Sequence, residues 1–586
     1  MRIFSDSQMN YISSSLEQNI YLRACPGAGK TEVIAAKVAM EAGRWAKYPS
    51  GMAVLSFSRS ATAELSDRIT KARRGNTNMH PHFVGTVDSF ILNHLVTPLA
   101  HLVTGYPGKE GDYSLRVVGP ESLSFYRAKY AIEKQPIFAN RFDLDTAEDR
   151  YLFWHVSDGL KKKLNKVVLA DWQIKDLTDA KRRFNAAGFA TYRDVELLAT
   201  KILTDVRFRA RLELLVYRFP VIIVDECQDL SAEQIAIFGY LVEFGARIHL
   251  VGDLDQAIYG FRNCFPEAVA DFIRRLGCAE MPLTENFRSG QSIVDLHGRL
   301  VKTGEVVGRA NYSPTTCYLI EYKACPTEVL PHFDALSAGH GDSVIVARGH
   351  STLGKLRAPD AEPGPAQLIA AAVCAFAKDA PGSLHQALLV FSRYLTENCM
   401  ECETMGADRY YRPAEISTPE NWHRFLWDCL SELQRQGLDH QNIFWKEWCK
   451  KLRNALGGLA VVVNDEDECK RVLASLRTKK HSAPAGLGDQ LVTAIVSNPL
   501  TTENKRRLAT IHEVKGETHD LTMLVSSGQK GQGSHWSEWL NDPRSEAARF
   551  AYVASSRPRH VLIWAVKVLK PADRLKLVGL GFQAYP

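Results

Sequence analysis

Ala24-Cys-Pro-Gly-Ala-Gly-Lys-Thr31 lies between Ile20-Tyr-Leu22, a short apolar run of strand type, and Glu32 to Glu41, whose apolar residues recur at helical spacing. The octet reads G-x-x-x-x-G-K-S/T with Ala24 in place of the first glycine. A strand, a glycine-rich turn and a helix form the context in which this pattern makes a phosphate-binding loop. In such a loop the backbone N–H groups of Gly27, Ala28 and Gly29 through Thr31 point inward around phosphate, aided by the positive end of the helix. Lys30 is then placed for the β- and γ-phosphates of a nucleoside triphosphate, and the Thr31 hydroxyl for Mg²⁺.

Working outward, Ala53-Val-Leu-Ser-Phe-Ser-Arg-Ser-Ala61 and Val84-Gly-Thr-Val-Asp-Ser-Phe90 repeat the shape of strand, polar turn and helix. Strands alternating with helices predict a parallel α/β sheet, whose ligands sit beyond the carboxyl ends of the strands. Pro220-Val-Ile-Ile-Val-Asp225-Glu226 supplies four consecutive β-branched residues, the signature of a buried parallel strand, and ends in two carboxylates. An aspartate there can hold Mg²⁺, and its neighbour can polarise an attacking water. The strand Arg247 to Asp253 runs into Gln256-Ala-Ile-Tyr-Gly-Phe-Arg262, where Gln256 is placed to sense a γ-phosphate and Tyr259 and Phe261 offer faces for stacked bases. Further on, Asn286-Phe-Arg288 opens a helix reaching Leu300, Ser343 to Arg348 is another strand, and Leu508 to Asp520 introduces a strand pair. Glu546 to Arg557 leads into a last strand, His560 to Val566. An arginine offered from a second domain stabilises charge in phosphoryl transfer.

Two stretches interrupt this pattern. Residues 96–214 read as largely helical, with a Lys161-Lys-Lys163 run that suits a solvated helix face or the binding of a phosphate backbone. Residues 358–500 are helical again, entered through the Pro/Gly-rich Ala358 to Ala366, with Gly486-Leu-Gly488 near the exit. With 586 residues the chain exceeds one core, and 45% hydrophobic and 24% charged residues are ordinary for a soluble protein. A net charge of +6 permits nucleic-acid binding. No apolar run reaches membrane-spanning length and no signal-peptide pattern opens the chain, so a cytoplasmic protein without membrane partners is expected. Twelve cysteines in this length are not a disulfide scaffold, and Cys399-Met-Glu-Cys402 is a C-x-x-C pair without a tightly spaced second half.

The order of these motifs resembles the superfamily 1A DNA helicases of the UvrD/Rep/PcrA family, from Gln8 ahead of the phosphate loop through ACPGAGKT, LSFSRSA, GTVDSF, VDECQD, GDLDQAIYGFR, ENFRS, TIHEVKGE and AYVASSR. The resemblance implies an α/β fold with two RecA-like parallel-sheet P-loop NTPase domains and mainly helical inserted domains. Motor domain 1A is expected over 1–95 and 215–284, insertion 1B over 96–214, motor domain 2A over 285–357 and 498–586, and a short, diverged insertion 2B over 358–497. It further implies ATP and Mg²⁺ in the cleft between the motor domains, and single-stranded or tailed duplex DNA as the partner, with 3′-to-5′ translocation. Carried over by position, Gln8 reads adenine, Phe287 stacks on it, and Glu517 stands one place early for a ribose contact. Asp225 and Thr31 hold Mg²⁺, Glu226 is the general base, Gln256 couples nucleotide to DNA, and Arg288 and Arg557 meet the γ-phosphate. Phe57, Tyr259 and Phe261 fall at base-stacking positions, and Arg59, Thr86, Arg262 and His512 at or beside DNA-facing ones. Glu32 replaces an arginine frequent after the loop threonine, and Asp88 a histidine. No RecB-type nuclease domain is expected. The alternative is a GajB-like subunit of a Gabija antiviral defence complex, a DNA-sensing ATPase that activates an OLD-family nuclease.

Overall fold

The computed structural model describes residues 4–585 apart from 123, 125, 146–147, 156–157, 261–263, 310–314, 357–363, 379–381, 401–409, 417, 441, 460–466, 484–487, 489–490 and 493–505. Two compact units emerge, Met1–Thr352 with Ala509–Pro586, and Leu353–Leu508.

The first unit holds two six-stranded sheets. Strands of the first are β1 (Ile20–Ala24), β2 (Met52–Ser56), β3 (Phe83–Thr86), β4 (Val221–Val224), β5 (Arg247–Gly252) and β6 (Ala279–Leu283), in the spatial order β6-β1-β5-β4-β2-β3. All its pairings are parallel. The β4 residues Val221 to Val224 are buried on both faces, which explains why this strand reads as a continuous apolar run rather than an alternating one. Helices α1 (Asp6–Ser13), α2 (Lys30–Gly43) and α3 (Arg59–Ala72) pack in this half. Ser58 begins α3, its hydroxyl accepting the Ala61 N–H, the usual means of satisfying a free helix-start donor.

The second sheet comprises β7 (Thr316–Tyr322), β8 (Ser343–Ala347), β9 (Arg507–Thr510), β10 (His519–Val525), β11 (Pro558–Lys567) and β12 (Gln583–Ala584), ordered β9-β8-β10-β11-β7-β12. Two helices carry its functional loops, α4 (Gln291–Val301) and α5 (Glu546–Ser555). The helix after Asn286-Phe-Arg288 thus starts at Gln291. Asn286 Oδ1 accepts the N–H groups of Arg288 and Ser289 at 2.7 and 2.9 Å, which holds this stretch in a turn.

The segment between β3 and β4 is mainly helical but carries more strand than its sequence suggested. Arg127–Ile132 pairs with Gln135–Phe138, and Phe142–Asp145 with Arg150–Phe153, both antiparallel. These ribbons pack around Phe142, Phe153, Leu177 and Phe184. Their alternation is short and interleaved with charge, so periodicity alone did not separate them from helix. Lys161, Lys162 and Lys163 are exposed.

The second unit is a helical body whose core joins Trp422, Trp445 and Trp448 with leucines of five helices. Cys399, Cys429, Cys449 and Cys469 are buried in it. Cys402, most of the Pro/Gly-rich entrance and Gly486 lie outside the described residues. No helix among the described residues is long and apolar enough to cross a membrane.

Candidate active site

The loop after β1 takes the conformation its glycines allow. Gly27 and Gly29 have φ of 74° and 77°, and Gly29 caps α2, so the helix starts at Lys30. A Cβ on Gly27 would stand 2.6 Å from Asn286 Oδ1 and 2.7 Å from Arg288 Cβ. Glycine there serves both the left-handed backbone and the close approach of the second sheet's first loop. Phe287 N–H donates to Gly27 O at 3.0 Å, leaving the Phe287 ring half exposed beside the loop. Gln8 braces the same loop. Its Nε2 donates to Ala28 O at 3.0 Å, and its Oε1 accepts Ser5 N–H at 3.1 Å. The amide keeps a second N–H and a second lone pair, the two groups an adenine edge needs.

The two carboxylates at the end of β4 behave differently. Glu226 has φ of 55°, unusual for a residue with a side chain. This turn brings Oε1 to 3.4 Å from Lys30 Nζ, while Oε2 accepts Gln228 Nε2 at 2.5 Å. Burial alone would raise Glu226, but Lys30, Lys515 and the Gln228 amide outweigh it and keep it ionised. Asp225 is pushed the other way, by burial and by the neighbouring Glu226 charge. Lys30 stays firmly protonated because Glu226, Asp225 and Asp253 outweigh its own burial.

Across from them lie two arginines, Arg557 buried and Arg288 partly buried. Arg557 is 1% exposed, donating to Val553 O, Gln256 Oε1, Ser556 Oγ and Glu517 O at 2.8, 3.1, 2.8 and 3.4 Å. Arg288 Nη1 donates to Ser556 O at 3.0 Å. Burial pulls Arg557 down to about 10, and burial plus the Arg557 charge pulls Arg288 down to about 9. Both remain cations at neutral pH, held together at a cost that a bound anion would relieve.

The Gln256–Arg557 bond belongs to a wider set of contacts joining the loops of the two sheets. Asp253 Oδ2 accepts Gln256 Nε2 at 2.7 Å and the Tyr552 hydroxyl at 3.1 Å. Gln228 Oε1 accepts Asp253 N–H at 3.2 Å, which extends the chain to Glu226. Arg549 Nε donates to Ala257 O at 2.7 Å, and Gly260 N–H to Glu546 at 3.0 Å. Lys515 Nζ lies 2.6 Å from buried Asp229. Lys515→Met strands that carboxylate and is expected to cost about 3 kcal/mol. Adding Asp229→Asn should restore most of the loss, and denaturant unfolding of both variants checks it.

The residues expected to face DNA cluster beside this network. Phe57 and Tyr259 stack on each other with centroids 5.3 Å apart and an interplanar angle of 24°. The Lys515 ammonium sits 4.6 Å over the Tyr259 ring. His512 packs 5.7 Å from Tyr259, and its Nε2 lies 3.0 Å from Ile258 O. Arg59 is exposed at the start of α3, whereas the Thr86 hydroxyl accepts Ser89 N–H. Phe261 and Arg262 lie outside the described residues. The Glu517 carboxylate stands 3.1 Å from His519 Nε2.

Residues 4–276 match the family described as UvrD/REP helicase N-terminal domain. Over this first half the chain is similar to the UvrD/Rep helicases. DNA helicase II of Haemophilus influenzae is 23% identical over 309 residues, covering 51% of this chain and 40% of that protein. Escherichia coli DNA helicase II is 24% identical with the same coverage. ATP-dependent DNA helicase SRS2 of Saccharomyces cerevisiae is 24% identical, covering 50% of this chain and 26% of its own. The matches thus span about two-fifths or less of the relatives' own length.

Sequence reasoning passed over Asp253, Tyr552, Gln228 and the Lys515–Asp229 pair. Asp253 carried a signal, a carboxylate directly at the end of a buried strand. Lys515 carried none, because its partner lies 286 residues away. The residues present suit Mg²⁺ with nucleoside triphosphate. No cluster of three or more metal-type side chains occurs among the described residues, and Mg²⁺ characteristically takes one or two carboxylates and completes its shell with phosphate and water. Burial and the like charge of Glu226 raise the proton affinity of Asp225, and such a cation would favour its ionised form.

Proposed function

We propose that this chain is a DNA-dependent ATPase and helicase that moves 3′-to-5′ on single-stranded DNA and separates duplex. The observation that carries this reading is the bond from Arg557 to Gln256 at 3.1 Å. It ties the arginine that would face a γ-phosphate to the loop that holds Tyr259, the residue stacked on Phe57. Nucleotide state and base grip thereby share one rigid set of contacts.

In this reading Gly27, Ala28 and Gly29 with Lys30 cradle the phosphates, Gln8 and Phe287 hold the base, and Glu226 takes a proton from the attacking water. Thr31 and Asp225 would hold Mg²⁺, which when bound withdraws charge from the β- and γ-phosphates. Arg288 and Arg557 bind the transferring group from the second sheet. Loss of that anion returns them to mutual repulsion and loosens the Gln256 contact, so that Phe57 and Tyr259 release one base and take the next. Stacking of about 1–3 kcal/mol per base holds the strand and still lets it go.

The deciding experiment compares ATP turnover of the purified chain with and without single-stranded DNA. Strong stimulation is expected, followed by displacement of strands with 3′ but not 5′ tails. A chain inert with DNA would overturn the autonomous motor. It would favour a DNA-sensing subunit that works through a partner nuclease.

A further inference from the structure

The helix Arg209–Arg218 ends just ahead of β4. Its inner side is set by Leu212 and Val216, both buried. Its outer side is not polar, as a helix face turned to water ordinarily is. Val206, in the turn directly ahead of it, is 87% exposed, Leu214 66% and Tyr217 63%. With Ala210, also exposed, these residues stand at i, i+4, i+8 and i+11, one stripe of roughly three turns. An exposed apolar side chain needs no explanation singly, whereas an ordered row of them marks an interaction face. The turn before β2 borders the far end. Gly51 N–H donates to Arg218 O at 2.8 Å, and Tyr48 in that turn is 70% exposed.

Charge is arranged along the stripe. At 3.6 residues per turn Arg207, Arg211 and Arg218 fall together on one flank. On the other flank Arg209 and Glu213 pair with each other at 3.3 Å. Arg207 is held by Asp205. Arg211 and Arg218 have no carboxylate partner among the described residues. The face thus combines an apolar seam with two cations left for an outside anion. A phosphate backbone gains nothing from the aliphatic seam and meets Glu213 beside it. Two free cations are few for an anionic membrane. A second copy of the chain brings the same excess of arginine to the contact, which repels.

We propose that this stripe is the docking face for an amphipathic helix of a protein partner, apolar along its contact edge and acidic on the side that meets Arg211 and Arg218. Helices are read in this way, by anchors one and two turns apart. Apolar contact with Val206, Leu214 and Tyr217 supplies the affinity, and the arginine flank fixes which way the partner lies. Position leaves the motor free to work. The helix sits at the amino end of β4, whereas Asp225, Glu226 and the phosphate loop follow the carboxyl ends of β4 and β1, which share one parallel sheet. A bound partner therefore leaves the nucleotide loops open.

Fluorescence anisotropy on the intact chain tests it with a labelled synthetic peptide of about four helical turns, carrying leucines at i, i+4, i+7 and i+11 and glutamates along one side. A peptide of the same composition in scrambled order has the same net charge and serves as the control. The patterned peptide is expected to bind about tenfold or more tightly than the scrambled one. Leu214→Asp with Tyr217→Asp should abolish that difference. Arg211→Glu should weaken the patterned peptide by about tenfold, and exchanging its glutamates for lysines should restore binding to that variant. The comparison of the two peptides uses the unaltered protein, so it decides the matter even where a variant misfolds. Equal affinity for both peptides, or no binding of either, would overturn the docking face. Displacement of the peptide by single-stranded DNA or by phosphatidylserine vesicles would overturn it in favour of a nucleic acid or a membrane. Self-association in sedimentation that Leu214→Asp abolishes would overturn it in favour of a second copy.

Discussion

Arg557→Ala is expected to lower DNA-stimulated ATP turnover by about 10³-fold or more, the range in which an arginine acting on a transferring phosphoryl group is felt. The loss should fall on kcat rather than on nucleotide affinity, because the phosphate-loop N–H groups and Lys30 remain to hold the ground state. Structure complicates the variant in a measurable way. Removing the guanidinium leaves Gln256 Oε1 without its donor in a buried site, at about 1–3 kcal/mol, whereas Val553 O keeps the Ser556 hydroxyl. Some thermal destabilisation therefore accompanies the kinetic loss. Arg557→Lys separates the two. Lysine keeps the charge but cannot reproduce the planar fork that meets four acceptors at once, so an intermediate rate is expected. Single-turnover hydrolysis and binding of a fluorescent ATP analogue read the two effects apart. A loss below about tenfold, with melting lowered, would reduce Arg557 to a brace between the loops.

Much of this architecture is legible in the chain because its strands are buried on both faces. Val221 to Val224 and Met52 to Ser56 read as strands since nothing polar interrupts them. The loop at Ala24–Thr31 is legible because phosphate binding by backbone N–H groups demands glycine and leaves few substitutes. The ribbons at 127–153 were missed for the opposite reason. Half-exposed strands alternate over too few residues to outweigh the charged helices around them. Long-range partners left no local trace either. Asp229 stands in an acidic stretch after a strand, and only the fold sets Lys515 against it. The residues expected to face DNA fall in between. Their positions follow from motif order, but that Phe57 stacks on Tyr259 follows only from the fold.

Glu226→Gln is expected to lower DNA-stimulated ATPase activity by about 10²–10⁴-fold, the usual worth of a positioned general base. The substitution keeps the shape and removes the charge. The new carbonyl still accepts the Gln228 amide, so the local network and the left-handed turn at position 226 survive. Lys30 loses the carboxylate that stands 3.4 Å away, which frees its ammonium for phosphate. ATP binding should therefore hold or tighten while hydrolysis stops. DNA should follow, staying bound longer in the presence of ATP because the arginines never lose their anion. That combination distinguishes a base from a structural partner of Lys30. If the carboxylate served only to position the ammonium, the amide would weaken ATP binding in step with turnover, and adding ATP would not prolong the DNA complex. Asp225→Asn should fail differently, with activity depending more steeply on Mg²⁺ concentration, because that side chain is assigned to the cation and Glu226 to the water.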